Sequence, residues 1–222
     1  AGTGRGAHAG VLIKNAEALE IMEKVDTLII DKTGALTEGK PKLVEVITVS
    51  GFEQNETLRL FASLEKGSEH PLASAIVGGA EERGITLAAV QDFTSITGKG
   101  VKGTIDGRSV ALGNKALLLS LGIDFTPLSA SAEQLRAKGQ TAMFAAIDGK
   151  PAAVISVADP IKATTPEALK QLKAEGLRIV MLTGDSKATA QAIANQLGID
   201  EFEAEVLPER KSEVVRQLQE QG

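Results

Sequence analysis

The residues that most clearly indicate a chemical role are Asp31 and the polar residues that follow it. They form the heptad Asp-Lys-Thr-Gly-Ala-Leu-Thr at positions 31–37, directly after an apolar run that ends at Ile30. A short β-branched run of this kind is typical of a strand buried on both faces of a parallel sheet. Ligands of such sheets bind at the carboxyl ends of the strands, where Asp31 could be a covalent nucleophile toward a phosphoryl group. Taken alone, an Asp that ends a strand and begins a turn is the simpler interpretation.

A second apolar run is also followed directly by polar residues. The run at 178–182 predicts another buried strand, which ends in Thr183-Gly184-Asp185 before a helix that begins at Ser186. A helix N-terminus is a natural anion site, and Thr183 could donate a hydrogen bond to a phosphate oxygen. Lys211 follows the next predicted strand and could offset phosphate charge. Each feature alone also fits a turn, a helix cap or a solvated lysine.

Together these residues resemble a known family. The heptad resembles the phosphorylation motif of P-type ATPases, with Ala35 where that family has Thr. Asp31, Thr183 and Lys211 occur in the order in which haloacid-dehalogenase-type phosphotransferases place their nucleophile, phosphate-binding Thr and charge-neutralising Lys. The segment Asp-Pro-Ile-Lys at 159–162 resembles the P-type hinge.

The resemblance implies a role for each matching residue. It assigns catalysis to six residues: Asp31, Lys32, Thr33, Thr183, Gly184 and Lys211. Asp31 would receive the γ-phosphoryl group of ATP, and Lys32 would add positive charge beside the leaving group. Mg²⁺ would bridge the Asp31 carboxylate, the Thr33 backbone carbonyl and the phosphate. Thr183 and Gly184 would hold the phosphoryl oxygens.

The middle of the chain carries a second motif. The string Ser-Glu-His-Pro-Leu at 68–72 resembles the nucleotide site of heavy-metal-transporting P-type ATPases. Pro71 suits the first turn of a helix, which would leave the His70 ring free to stack. By resemblance, the nucleotide-binding residues are Glu65, His70, Gly98, Gly100 and Asn114. His70 would stack on the adenine, Glu65 would accept a hydrogen bond from its amino group, and the glycines would pack against the nucleotide.

Hydrophobic periodicity predicts an α/β protein with an insertion. The resemblance implies that this is a haloacid-dehalogenase-like Rossmannoid phosphorylation domain at 1–41 and 158–222, split by an α+β nucleotide-binding domain at 42–157. The insertion alternates like an antiparallel sheet with flanking helices, and the flanking parts have the rhythm of a parallel sheet. Among the individual elements, the pattern predicts helices at 15–24 and 130–138, a strand at 202–206 and a final helix opened by Pro208.

Composition narrows the function classes. The 222 residues carry a net charge of −5 and contain no Cys, Trp or Tyr, which argues against nucleic-acid binding and excludes disulfides and thiol metal sites in this chain. No apolar run reaches the roughly 18 residues of a membrane span, so we expect no direct membrane insertion. No Walker A string occurs, which argues against a P-loop enzyme.

The resemblance is strongest to the copper(I)/silver subgroup. It implies the cytoplasmic domain of an integral membrane protein, with ATP, Mg²⁺ and the transmembrane and actuator domains of the same pump as partners. The sequence given stops before the Gly-Asp-Gly-x-Asn-Asp segment of that family, so we expect the isolated chain to be incomplete for catalysis. Two alternatives stay open: a soluble phosphatase of the same superfamily with the insertion as a cap, and a catalytically silent nucleotide-binding module.

Overall fold

The computed structural model describes residues 11–13 and 27–221, in which strands β1–β10 and helices α1–α7 are numbered here in chain order. The chain forms two compact units. The first, here the split unit, contains Ala1–Lys40, Ala137–Gly139 and Asp159–Gly222, and the second, the inserted unit, contains Pro41–Arg136 and Gln140–Ala158. The helix predicted at 15–24 lies outside the described residues.

The split unit is built on a four-stranded parallel sheet of order β1-β2-β9-β10. Its strands are β1 Val11–Ile13, β2 Thr27–Asp31, β9 Arg178–Leu182 and β10 Glu201–Glu203. All five residues of β2 are buried, as expected for a parallel strand covered on both faces. Leu28 and Ile30 face one apolar cluster, whereas Ile29 faces another.

Three helices cover this sheet. They are α5 Thr165–Ala174, α6 Lys187–Leu197 and α7 Lys211–Gln221. Helices α5 and α6 pack on the side of Leu28 and Ile30, and α7 brings Val214 and Val215 to the side of Ile29. The predicted α/β class, with a parallel sheet and an inserted antiparallel sheet, is confirmed.

Two predicted element limits in the split unit were wrong. The strand predicted at 202–206 ends at Glu203, because Glu205 adopts a positive φ of 58°. The Val206 N–H then donates to the Thr183 carbonyl, which folds the chain back across the end of β9. Pro208 opens a 3₁₀ turn, Pro208–Arg210, and α7 begins only at Lys211.

The two chain segments that lead into and out of the insertion are fastened to each other within the split unit. Asp159 accepts hydrogen bonds from the Thr37 hydroxyl at 2.6 Å and from the backbone N–H groups of Gly39 at 3.1 Å and Lys40 at 3.0 Å. Backbone bonds from Glu38 N to the Pro160 carbonyl, 2.9 Å, and from Lys162 N to the Leu36 carbonyl, 3.0 Å, complete this contact. We call it the Asp159 clasp.

The inserted unit contains a six-stranded antiparallel sheet of order β3-β8-β7-β6-β5-β4. The strands are β3 Lys42–Thr48, β4 Gln91–Ile96, β5 Gly100–Ile105, β6 Arg108–Gly113, β7 Thr141–Ile147 and β8 Lys150–Ala158. Strands β4 to β8 follow each other as a meander, and β3 pairs with the last of them. Side chains of β7 alternate between two clusters, with Ala145 and Ile147 on one face and Phe144 and Ala146 on the other.

Helices cover both faces of this sheet. They are α1 Gln54–Glu65, α2 Pro71–Glu82, α3 Lys115–Ser120 and α4 Thr126–Ala137. The first two pack on the face of Ile147, the last two on the face of Phe144. The helix predicted at 130–138 begins earlier, at Thr126, because Asp124 accepts hydrogen bonds from the Thr126 N–H at 3.0 Å and from its hydroxyl at 2.6 Å.

Helix α2 contains two consecutive glycines that differ in their surroundings. A Cβ atom added to Gly79 would lie 2.4 Å from Leu43 Cδ2 and 2.6 Å from Leu43 Cβ on β3, whereas one added to Gly78 would meet nothing within 4 Å. The absent side chain of Gly79 therefore lets α2 lie directly against β3. Gly78 has no such contact to protect.

This difference predicts opposite effects of two neighbouring substitutions. Gly78→Ala should stabilise the inserted unit by about 0.5–1 kcal/mol, since Ala lowers the entropy cost of the helix. Gly79→Ala should destabilise it by about 1–3 kcal/mol, since the new methyl group overlaps Leu43. Thermal unfolding followed by far-ultraviolet circular dichroism measures both, and similar shifts in the two variants would contradict the packing described here.

Candidate functional site

The carboxyl ends of β2 and β9 meet at one edge of the split unit's sheet. Asp31, the last residue of β2, pairs in register with Leu182, the last residue of β9. Thr183 therefore follows at the same edge, and both side chains are withdrawn from solvent, with 5% of Asp31 and 1% of Thr183 exposed. A buried carboxylate at such an edge needs a partner charge.

Lys211 supplies that charge from the first turn of α7. Its Nζ lies 2.7 Å from Asp31 Oδ2, and Thr33 N donates to Oδ1 at 3.3 Å. The two contacts hold both carboxylate oxygens and fix the orientation of the group. The structure thus brings together Asp31, Thr33 and Lys211 of the predicted catalytic set.

A second ion pair lies beside the first. Lys32 Nζ is 2.6 Å from Asp185 Oδ2, and the Asp185 N–H donates to the Thr183 hydroxyl oxygen at 3.0 Å. Sequence reasoning did not place Asp185 in the site, although the string Thr-Gly-Asp was the signal that could have done so. The cap of α6 is instead Ser186, which accepts from the Thr189 N–H.

Gly184 and Ala35 lie in contrasting environments. Gly184 is exposed between Thr183 and Asp185, and a Cβ atom there would lie 3.4 Å from the Val206 carbonyl oxygen. Ala35 is fully buried, and it belongs to the apolar cluster of Leu36. A Thr at position 35 would have to place its hydroxyl in this buried region.

The donor set at this edge fits Mg²⁺ bound in its usual way. Within residues 11–13 and 27–221, no three His, Asp or Glu side chains surround a common centre. Mg²⁺ typically needs one or two carboxylates, with phosphate oxygens and water completing its shell. Asp31 offers one carboxylate, and Asp185 Oδ2 is buried and makes no directed hydrogen bond beyond its ion pair with Lys32.

The five residues predicted to bind the nucleotide line one cavity of about 400 Å³ in the inserted unit. They are Glu65, His70, Gly98, Gly100 and Asn114. Apolar walls come from Leu72, Ile96 and Leu112, and the volume is within the usual range for a small-molecule site. This cavity and the Asp31 edge belong to different units.

His70 and Asn114 both cap helices at the cavity. His70 is exposed, precedes Pro71 at the start of α2, and accepts the Leu72 N–H at Nδ1 over 3.2 Å. This bond orients the imidazole and leaves its faces uncovered by the helix. Asn114 accepts the Leu117 N–H at 3.1 Å and donates to the Gly98 carbonyl at 2.7 Å, so its amide ties the β4–β5 turn to α3.

The cavity glycines also have local reasons to be glycine. Gly98 occupies the turn with φ +75°. A Cβ atom on Gly100 would lie 2.2 Å from the Leu112 carbonyl oxygen, so this residue allows β5 to approach β6. Close strand pairing, as well as access for a ligand, accounts for glycine here.

Glu65 is the buried acid of the cavity. Its exposed fraction is 7%, and burial raises the pKa of its carboxyl group from 4.5 to about 7. A hydrogen bond with Ser68 acts in the opposite direction and lowers this pKa.

Thr141 and Met143 of β7 also line the cavity. Sequence reasoning assigned Met143 to a strand and placed neither residue at the cavity, because nothing local in the sequence shows which strand lies next to the motif.

Comparison with known proteins places this geometry in a family. The model of haloacid dehalogenase-like hydrolases matches residues 25–222. A copper-exporting P-type ATPase of Legionella pneumophila is 53% identical over 221 residues, which cover 100% of this chain and 30% of that protein. A silver-exporting P-type ATPase of Salmonella typhimurium is 49% identical over 221 residues, covering 100% of this chain and 27% of that protein. The chain therefore spans under a third of the length of these relatives.

Solved structures agree with the sequence relatives. A zinc-transporting PIB-type ATPase in the E2.Pi state matches with a TM-score of 0.69 and 31% identity, over 100% of this chain and 36% of that one. The catalytic domain of the CPx-ATPase CopB-B matches with a TM-score of 0.65 and 28% identity, over 95% of this chain and 75% of that one. The predicted resemblance to heavy-metal P-type ATPases is thus confirmed. No helix in the described ranges 11–13 and 27–221 is long and apolar enough to cross a membrane.

The raised pKa of Glu65 predicts a pH-dependent stability of the inserted unit. Between pH 4.5 and 7 the folded carboxyl keeps a proton that the unfolded carboxyl has released. The free energy of unfolding should therefore fall as pH rises through this window and level off above it. Glu65→Gln should remove a decrease on the order of 2 kcal/mol between pH 5 and 8.

Urea unfolding followed by circular dichroism suits this test, because the chain contains no Trp or Tyr. Glu81→Gln, an identical change at an exposed position of α2, is the control and should keep the pH dependence of the unmodified chain. Equal pH dependence in the unmodified chain and Glu65→Gln would show that Glu65 does not titrate in this range.

Proposed function

Because this chain belongs to the haloacid dehalogenase-like hydrolase family, we propose that it is the ATP-binding and phosphorylation region of a heavy-metal-exporting P-type ATPase. The copper and silver exporters among its relatives support Cu⁺ or Ag⁺ as the exported ion. In this proposal the split unit is the phosphorylation domain and the inserted unit is the nucleotide-binding domain.

The observation that carries the proposal is the environment of Asp31. Its carboxylate is buried at the end of a central parallel strand, oriented at both oxygens, and neutralised by Lys211 at 2.7 Å. A structural Asp at a turn has no need of a half-buried lysine from a helix 180 positions later in the chain. A carboxyl group that a lysine and a backbone N–H orient at a sheet edge has what a phosphoryl-accepting nucleophile needs.

The residues of the split unit then act as follows. An Asp31 oxygen attacks the γ-phosphorus of ATP, the bond to the bridging oxygen breaks, and ADP leaves with that oxygen's electron pair. Lys211 offsets the charge that gathers around Asp31. Thr183 donates its hydroxyl to a phosphoryl oxygen, and the backbone N–H of Gly184 lies next to it. Lys32, held by Asp185, adds positive charge near the leaving group.

Magnesium belongs to this proposal through two donors. The Asp31 carboxylate and the Thr33 backbone carbonyl would hold Mg²⁺, which when bound neutralises phosphate charge. The carboxylate of Asp185 is a further donor at the same edge.

The inserted unit supplies the nucleotide site of the proposal. Its cavity offers an apolar wall for a base, the uncovered ring of His70 for stacking, and the carboxyl group of Glu65 for hydrogen bonding. Gly98, Gly100 and Asn114 form the rim where the sugar and phosphates would lie. Transmembrane and actuator domains of the same protein are the proposed partners, consistent with the length of the relatives.

Phosphorylation of Asp31 is the first test. An intact pump that carries this segment, incubated with γ-labelled ATP and Mg²⁺ and quenched in acid, should retain label that hydroxylamine releases, since an acyl phosphate is labile to it. Asp31→Asn should lower the label to background. Asp200→Asn, an exposed Asp that precedes β10, is the matched control and should label normally. Undiminished label in Asp31→Asn would refute the proposal, and preferential hydrolysis of small phosphomonoesters would identify a phosphatase instead.

Nucleotide binding is the second test. Calorimetric titration of the chain with ATP should show binding that GTP does not match. His70→Asn should weaken ATP binding by about fivefold to a hundredfold, the loss of one aromatic stacking contact worth roughly 1–3 kcal/mol. Asn preserves the helix cap that His70 provides, so the fold should remain. Unchanged ATP affinity in His70→Asn would contradict the role of the imidazole ring.

A further inference from the structure

Glu65 lies in the cavity in a setting that suits an uncharged carboxyl group. It is the last residue of α1, and the C-terminal end of a helix carries partial negative charge that disfavours a carboxylate. It is 7% exposed, and no ion pair found in the described ranges 11–13 and 27–221 involves it. Burial and the helix end therefore act in the same direction.

The elements around Glu65 bring few charges toward it. The titratable side chains that share its cavity are His70, at the start of α2, and Lys99, in the β4–β5 turn. Lys66, the next residue of its own chain segment, is exposed, as is Lys102 on β5. The faces of α2, β5 and β6 that pack in the same cluster as α1 contribute apolar residues: Ala75, Ile76, Ala80, Val101, Ile105, Val110 and Leu112.

The protonation state of a carboxyl group decides which purine it can recognise. A protonated carboxyl group has one O–H donor and one carbonyl acceptor, whereas a carboxylate only accepts. Adenine presents the N6 amino donor beside a ring-nitrogen acceptor, which matches the protonated form. Guanine presents N1–H and the N2 amino group as adjacent donors, which match the carboxylate.

Resting on the proposed nucleotide site, we propose that Glu65 pairs with the edge of adenine as a neutral acid, and that its ionisation weakens this pairing and favours guanine. The carboxyl O–H donates to a ring nitrogen of adenine while its carbonyl oxygen accepts from the amino group. A carboxylate would instead face the lone pair of that ring nitrogen with a lone pair of its own, which costs adenine affinity, whereas the adjacent donors of guanine still pair with it. Selectivity for the base then depends on pH in the neutral range.

The pKa of about 7 sets the size of the effect. ATP affinity of the chain, measured by calorimetry, should fall about tenfold between pH 6 and pH 8, following the protonated fraction of Glu65. The ratio of ATP to GTP affinity should fall by at least that factor. Glu65→Gln should bind ATP at both pH values about as tightly as the unmodified chain does at pH 6, because an amide also pairs one donor with one acceptor.

Glu65→Gln also separates this effect from other titrations, since it retains His70 and the same nucleotide phosphates. Parallel pH profiles in the two proteins would overturn the proposal, as would loss of ATP binding in a folded Glu65→Gln at pH 6. A Glu81→Gln control, at an exposed position that does not line the cavity, should follow the unmodified chain. Absence of ATP binding by the folded unmodified chain at either pH would instead refute the proposed nucleotide site, and the two failures are distinguishable.

A measurement without any substitution gives a second test. Carbon-detected NMR of the Glu65 carboxyl carbon reports its titration directly. If ATP binds the neutral acid, saturating ATP must raise the midpoint of this titration, because the ligand and the proton favour each other's binding. A midpoint that is unchanged or lowered by ATP would overturn the proposal.

Discussion

The parallel pairing of β2 with β9 is the constraint on which the rest of the split unit depends. The two strands pair in register and are buried, so both end at the same edge of the sheet. The residues that follow them therefore lie at that edge. Strand register alone therefore places Asp31 and Thr183 at the same edge. The lysine from α7 then supplies the charge that lets a carboxylate remain in this buried position.

The two units handle buried acids in opposite ways. At the split unit's edge, Asp31 and Asp185 each face a lysine within 2.7 Å, so each acid has a partner of opposite charge. In the inserted unit, Glu65 is surrounded by apolar side chains and a helix end, so its charge is disfavoured. Chemistry that handles phosphate needs the first arrangement, and recognition of an uncharged base suits the second.

Local patterns predicted most of the fold, and long-range pairing explains what they missed. The buried run before Asp31 and the Pro after His70 are local signals, and the strand and the helix lie where these signals put them. The early start of α4 at Thr126 and the end of β10 at Glu203 depend on a side-chain cap and a backbone reversal that hydrophobic periodicity does not encode. The pairing of Lys32 with Asp185 joins residues far apart in sequence. The site residues themselves stay a prediction until they are tested.

The Asp159 clasp has a consequence for how the chain folds. Lys42 and Ala158 pair across β3 and β8, so the inserted unit begins and ends at one place. Bringing the two ends of this long insertion together costs conformational entropy, and the folding of the insertion itself compensates that cost. The contacts of residues 37–40 with Asp159 join the same two chain ends and so add little further closure entropy. The folded insertion therefore acts as a short connection between the two parts of the split unit. It reduces the effective sequence separation between β2 and β9.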